Sequence, residues 1–142
     1  MIIRHADAND LQAIIILWQN SGLPIRPTGR DKLENLENQL LQPNMWIIVA
    51  EEEKEIIGAV LVTHDSRKGW INRLAVHPNM TRKGIATKLL RTAEESLVKA
   101  GIEMFAALIS YDNIPSRELF EKENYQYHKT ITYYAKRFRE DI

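Results

Sequence analysis

A chain of 142 residues with 44% hydrophobic content can fill one core and is too short for two domains of ordinary size, so a single domain over 1–142 is expected. Its 19 basic and 19 acidic residues cancel, which leaves no electrostatic footprint for general nucleic-acid or anionic-membrane binding. There is no cysteine, hence neither a disulfide framework nor a thiol nucleophile, and His5, His64, His77 and His128 lack any metal-ligand spacing.

No signal-like stretch precedes Ile2, and no apolar run approaches the ~18 residues of a membrane span, so a cytoplasmic protein is expected. Met1 to His5 reads as a short strand. Asp7 or Asn9 then caps a helix that buries Leu11, Ile14, Ile15 and Trp18 and stops at Ser21-Gly22. The loop Leu23 to Gly29 contains two prolines and is stiff but irregular. A second helix carries Leu33, Leu36, Leu40 and Leu41 on one side and ends before Pro43. Met45 to Ala50 is the next strand, and Glu51 to Glu55 is a solvated hairpin tip. Ile56 to Thr63 is nearly continuous in apolar residues, which predicts a central strand, with Gly58 marking a bulge or a close contact.

Trp70 to Val76 reads as a strand that ends near His77, because the residue before Pro78 is biased to extended geometry. From Ile85 the apolar residues Leu89, Leu90, Ala93, Leu97 and Val98 form a one-sided helical stripe that closes at Gly101. The start of this helix carries the chemistry. First-turn N–H groups have no intrahelical partner and lie at the positive end of the macrodipole, so they attract an anion. Gly84 has no Cβ to block an approach, Arg82 and Lys83 add charge, and Ala86 and Thr87 are small. A P-loop needs a Gly four residues ahead of Gly-Lys-Ser/Thr, and a dinucleotide fold needs three spaced glycines near its first strand. Neither pattern is present.

Met104 to Ile109 is a wholly apolar strand, parallel to the Trp70 strand by the right-handed crossover rule. Asn113 caps a helix with Pro115 in its first turn and Leu119 and Phe120 on its apolar side. Tyr125 to Tyr127 and Ile131 to Phe138 alternate and read as two closing strands. Taken alone, each of these residues has an ordinary structural role.

Their joint placement resembles the GNAT family of N-acetyltransferases. Leu74-Ala-Val76-His-Pro and Arg82-Lys-Gly84-Ile-Ala86 are similar to the family's acetyl-CoA motif of Arg or Gln, two variable residues, Gly, one variable residue, then Gly or Ala. The leading position falls on Thr81, a departure that Arg82 offsets. Asn113-Ile-Pro-Ser116 through Phe120 to Tyr125 resembles the family's second CoA segment, with Ser116 where Ala is common and Asn124-Tyr125 where Gly-Phe is.

The resemblance implies an α/β fold: one mixed, twisted, mostly antiparallel sheet of about six to seven strands with about four helices. A parallel, splayed strand pair at its centre admits pantetheine. It implies acetyl-CoA as co-substrate, with no metal, bound by Leu74, Ala75, Val76, Thr81, Arg82, Lys83, Gly84, Ile85, Ala86, Thr87, Asn113, Ser116 and Phe120. The implied reaction is direct acetyl transfer to a primary amine on a small molecule, peptide or protein; the alternative is a catalytically weak or silent acetyl-CoA-binding module. A homodimer is compatible with either. The family's base and acid positions fall on Asn72 and Phe120, which leaves Tyr111 and Tyr134, with Tyr133 and Asp65 behind them, as the nearest candidates beside Asn72. Arg26, Thr28, Arg30 and Trp70 are the expected acceptor contacts.

Overall fold

The computed structural model describes residues 1–142. Five strands form one sheet in sequential order: β1 (Ile2–His5), β2 (Met45–Glu52), β3 (Glu55–His64), β4 (Gly69–Val76) and β5 (Phe105–Ala106). Pairing is antiparallel from β1 to β4, and β4 to β5 is parallel. Four helices accompany the sheet: α1 (Leu11–Asn20), α2 (Leu33–Leu40), α3 (Ile85–Lys99) and α4 (Ile114–Lys122). None of them is long and apolar enough to cross a membrane.

Alternation along the strands splits the core into two layers. Ile47, Val49 and Ala59 face α1 and α2 and pack on Leu11, Ile14, Trp18 and Leu36. Ile48, Ala50, Val60 and Val62 face α3 and pack on Ile85, Leu89, Leu90 and Leu97. Covering both faces explains why β3, in the middle, is apolar almost throughout. Gly58 is one of two places where α3 comes close enough to exclude a side chain: a Cβ there would lie 2.9 Å from Leu89 Cδ1, and one at Gly69 2.6 Å from Leu97 Cδ1.

Three sequence expectations are corrected. The sheet has five strands, not six to seven, because Tyr125–Tyr127 and Ile131–Phe138 form no ladder. The second run does not alternate cleanly: in a strand Ile131 and Tyr133 would fall on one face and Tyr134 and Phe138 on the other, so no single face would be buried, and all four are exposed. The end of the chain instead returns to Gly29, where an added Cβ would collide with the Asp141 backbone. Without those strands the parallel pair lies at the edge of the sheet, not at its centre. The expected strand Met104–Ile109 also shrinks to Phe105–Ala106, because the chain departs from β4 after Trp70 and Ala106.

Candidate active site

β4 carries an irregularity that shapes everything around it. Leu61 pairs with Asn72 and Ala59 with Ala75, so Arg73 and Leu74 oppose Val60 alone, a β-bulge. The extra residue reverses the alternation: Ile71 belongs to the α3 layer and Ala75, four positions on, to the α1 layer. Arg73 absorbs the kink at φ +52°, a left-handed conformation that costs a non-glycine residue about 1 kcal/mol or more. Two contacts hold it there. Trp18 Nε1 donates to the Arg73 carbonyl at 2.9 Å, and Arg73 Nη2 bonds Asp31 Oδ2 at 2.8 Å. Asp31 is buried, and its Oδ2 also accepts the Arg26 N–H at 2.6 Å, so the loop between α1 and α2 is pinned to the bulge.

Beyond Trp70 the outer edge of β4 has no strand partner, and a cavity of about 640 Å³ opens between it and the chain that follows β5. Asn72 bridges the two walls, its Oδ1 accepting the Leu108 N–H at 3.0 Å. Leu74 lines the β4 side, while Asn113, Ser116 and Phe120 line the α4 side. Asn113 is also the cap of α4, accepting the Ser116 N–H at 3.3 Å.

Past the end of β4, His77 Nδ1 accepts the Asn79 N–H, Thr81 Oγ1 donates to the Pro78 carbonyl, and the chain turns into α3. Arg82 at φ +65° and Gly84 at φ +78° lie in the left-handed region, and nothing stands within 4 Å of where a Gly84 Cβ would be. No acceptor in the protein takes any backbone N–H from Arg82 to Thr87. Consecutive free N–H groups in such a turn make a concave anion-binding surface. Thr81, Arg82, Lys83 and Gly84 are exposed, whereas Ile85 is buried and anchors the turn to the core.

The other expected site residues scatter. Arg30 and Tyr133 line the cavity, but Arg26, Thr28, Trp70, Tyr111 and Tyr134 do not. Tyr111 is exposed and stacks under the Arg117 guanidinium at 4.6 Å, Tyr134 is exposed, and Trp70 lies under Lys68 at 5.3 Å. Asp65 closes its own turn by accepting the Arg67 and Lys68 N–H groups, which hold its carboxyl below the usual carboxylate range. Asp31 and Arg73, which sequence reasoning missed, do line the cavity. In the sequence Asp31 reads as one more polar residue ahead of a helix.

A strand edge freed by a splay, a bulge beside it and a helix start with unpaired amides agree with what comparison finds. The model of the acetyltransferase (GNAT) family matches residues 11–125. The chain belongs to this family. An acetyltransferase of Pectobacterium atrosepticum is 31% identical over 99% of this chain and 98% of its own, and one of Sodalis glossinidius is 27% identical over 99% and 95%. Among solved structures, the PaiA N-acetyltransferase of Thermoplasma acidophilum in complex with coenzyme A shares the fold at a TM-score of 0.80, with 20% identity and 92% of each chain covered. An aminoglycoside N-acetyltransferase bound to a CoA bisubstrate analogue does so at 0.81, with 17% identity over 96% of this chain and 97% of its own.

Proposed function

We propose that this GNAT-family acetyltransferase binds acetyl-CoA along the free edge of β4 and passes the acetyl group directly to a primary amine. One observation carries the reading: the free N–H row from Arg82 to Thr87 and the cavity at Asn72 and Leu74 lie at opposite ends of one unpaired strand edge. The N–H row and the Arg82 and Lys83 charges suit the CoA diphosphate, and Ala86 and Thr87 leave it room. Leu74, Ala75 and Val76 offer backbone groups to the pantetheine amides as a strand would, and one N–H there polarises the thioester carbonyl. Asn113, Ser116 and Phe120 form the facing wall.

Asn72 holds the two walls apart at a fixed spacing. Of the tyrosines, Tyr133 is the one the cavity presents; Tyr111 and Tyr134 reach the acceptor only if the exposed segments carrying them close over it. Arg30 contacts the acceptor from the loop; Arg26, Thr28 and Trp70 lie outside the cavity lining and are not part of this reading. Two neighbours bound to CoA or a CoA conjugate support the cofactor assignment.

A catalytically silent acetyl-CoA-binding module is the second reading, favoured by the one carboxylate in the cavity wall, Asp31, being committed to Arg73. Thiol release from acetyl-CoA with a panel of amines decides between them. Turnover above the hydrolytic background supports the enzyme. Acetyl-CoA binding by calorimetry with no turnover on any amine supports the module, and no binding removes both.

A further inference from the structure

The charges lining the cavity are unequal. Arg30, Arg73 and Arg137 contribute three guanidinium groups, and Asp31 is the one carboxylate. Asp31 is already engaged, since its Oδ2 accepts from both Arg73 Nη2 and the Arg26 N–H. The Arg30 side chain has no partner, and Arg137 gives only its Nε, to the Ile142 carbonyl at 2.8 Å. Behind the wall, Arg26 has a buried Nε with no hydrogen-bond partner. The Arg73 guanidinium is held below its ordinary value, by burial first and then by repulsion from Arg30 and Arg26, against the attraction of Asp31. The cavity holds more cationic donors than its own acceptors satisfy.

An acceptor with a second ammonium group would add to that repulsion. One with a carboxylate would relieve it, because a guanidinium presents paired N–H donors in the plane and spacing of two carboxylate oxygens. We infer that the acceptor amine also carries a carboxylate, as an amino acid does, and that Arg30 and Arg137 receive it at the mouth of the cavity while Arg73 supplies the field behind them. This rests on the acetyl-transfer reading above. The amine nitrogen forms the new C–N bond as the thioester C–S bond breaks, and the proton it loses ends on the CoA sulfur. The carboxylate takes no part in the bond changes; it fixes where the nitrogen stands.

The experiment compares amino acids with the amines left by their decarboxylation, each with the full chain saturated in acetyl-CoA, and follows thiol release. Ethylenediamine and O-phosphoethanolamine are added as cationic and phosphate-bearing arms. The amino acids should exceed their decarboxylated partners in kcat/KM by about tenfold or more, chiefly through KM. Arg30→Gln, at an exposed position, should reduce that ratio about tenfold, and Arg30→Glu should move the preference toward ethylenediamine. Equal or better use of the decarboxylated amines or ethylenediamine overturns the inference, as does a ratio unchanged in Arg30→Gln. A preference for O-phosphoethanolamine replaces the carboxylate with a phosphate and overturns the assignment too. Acetyl-CoA binding without acetylation of any panel amine also overturns it. Failure to bind acetyl-CoA at all sinks the acetyl-transfer reading and this inference with it.

Discussion

Asn72 and Leu108 are joined across the splay by a side chain where the main chain no longer pairs: Asn72 Oδ1 accepts the Leu108 N–H at 3.0 Å, just past the last paired residues, Trp70 and Ala106. The bond ties together two residues that line the cavity from opposite walls. Asn72→Asp keeps an acceptor of the same shape and should keep the melting temperature and most of the activity. Asn72→Leu leaves the Leu108 N–H to water, which costs about 1 kcal/mol of stability. Its kcat/KM should fall about tenfold if the spacing of the walls positions the thioester. Denaturant melts and thiol release on both variants test this, and equal activity in Asn72→Leu and wild type would show that the spacing does not matter.

Gly84 offers a sharper test of where CoA binds. Gly84→Asp should abolish acetyl-CoA binding, because its carboxylate would stand beside the free N–H row from Arg82 to Thr87. The fold should survive, since nothing lies within 4 Å of the new Cβ and Asp tolerates the left-handed region better than most residues. Gly84→Ala has no charge and should weaken binding less. Calorimetry should find wild-type affinity in the micromolar range, about −8 kcal/mol, weakening with added salt and in the double variant Arg82→Ala, Lys83→Ala. Binding to Gly84→Asp as tight as wild type would place the diphosphate elsewhere.

The bulge on β4 depends on partners far away in the chain. Asp31→Ala would leave the half-buried Arg73 guanidinium uncompensated and should cost about 3 kcal/mol. Trp18→Phe removes only the donor to the Arg73 carbonyl and one lobe of the ring, and should cost about 2 kcal/mol. The two act on one residue, so their effects should not add. A double variant whose loss equals the sum of the single losses would mean that the two contacts hold the bulge independently.

Much of this was readable beforehand, and the limits have physical causes. The Ile85 helix, its glycine-led start and the Asn113 cap follow from local signals, namely periodicity, a left-handed glycine and a capping side chain, and all three appear where expected. The layered placement of α1 and α3 follows from continuous apolar strands. Other features depend on partners remote in sequence, which a linear pattern does not encode. Arg73 pairs with Asp31 across 42 positions, and Trp18 reaches the Arg73 carbonyl across 55. The Ile131 to Phe138 run has the composition of a strand, but it pairs with no edge of the sheet and leaves its large residues exposed, and neither outcome is written in a local pattern.

Acid stability should depend on a pair at the start of the chain. Arg4 bonds both oxygens of Asp10, at 2.8 and 2.9 Å, and Asp10 Oδ2 also accepts the Asp7 N–H. The Arg4 bonds hold the Asp10 carboxyl below its ordinary range. A carboxyl depressed in the folded state contributes stability above its unfolded value, about pH 4, and loses it as pH falls through the folded value. Asp10→Asn should therefore lower the melting temperature at about pH 7, with the gap to wild type narrowing below about pH 4. A gap that is constant with pH would show that the ion pair contributes through packing alone.

Tyr133 is the one tyrosine that lines the cavity, and how much it contributes depends on how little else the cavity offers. The cavity wall has one carboxylate, Asp31, and its ion pair with Arg73 and its hydrogen bond from Arg26 leave it poorly placed to take a proton from an acceptor. In the proposed reaction the amine reaches the thioester already neutral, or first gives its ammonium proton to water, and CoA leaves as a thiolate that then takes up the proton released by the nitrogen, with no dedicated acid needed. Tyr133→Phe should lower kcat by less than the ~10²-fold typical of a lost general acid, and Tyr111→Phe and Tyr134→Phe, which do not line the cavity, by less again. The logarithm of kcat/KM should rise with pH and level off near the ionisation of the acceptor amine itself, so that two amines of different basicity give two different plateaus. A larger loss in Tyr133→Phe with acetyl-CoA affinity intact would identify it as the acid. A rate limb that disappears in Asp31→Asn, and does not move with the amine, would expose a protein base inside the ion pair.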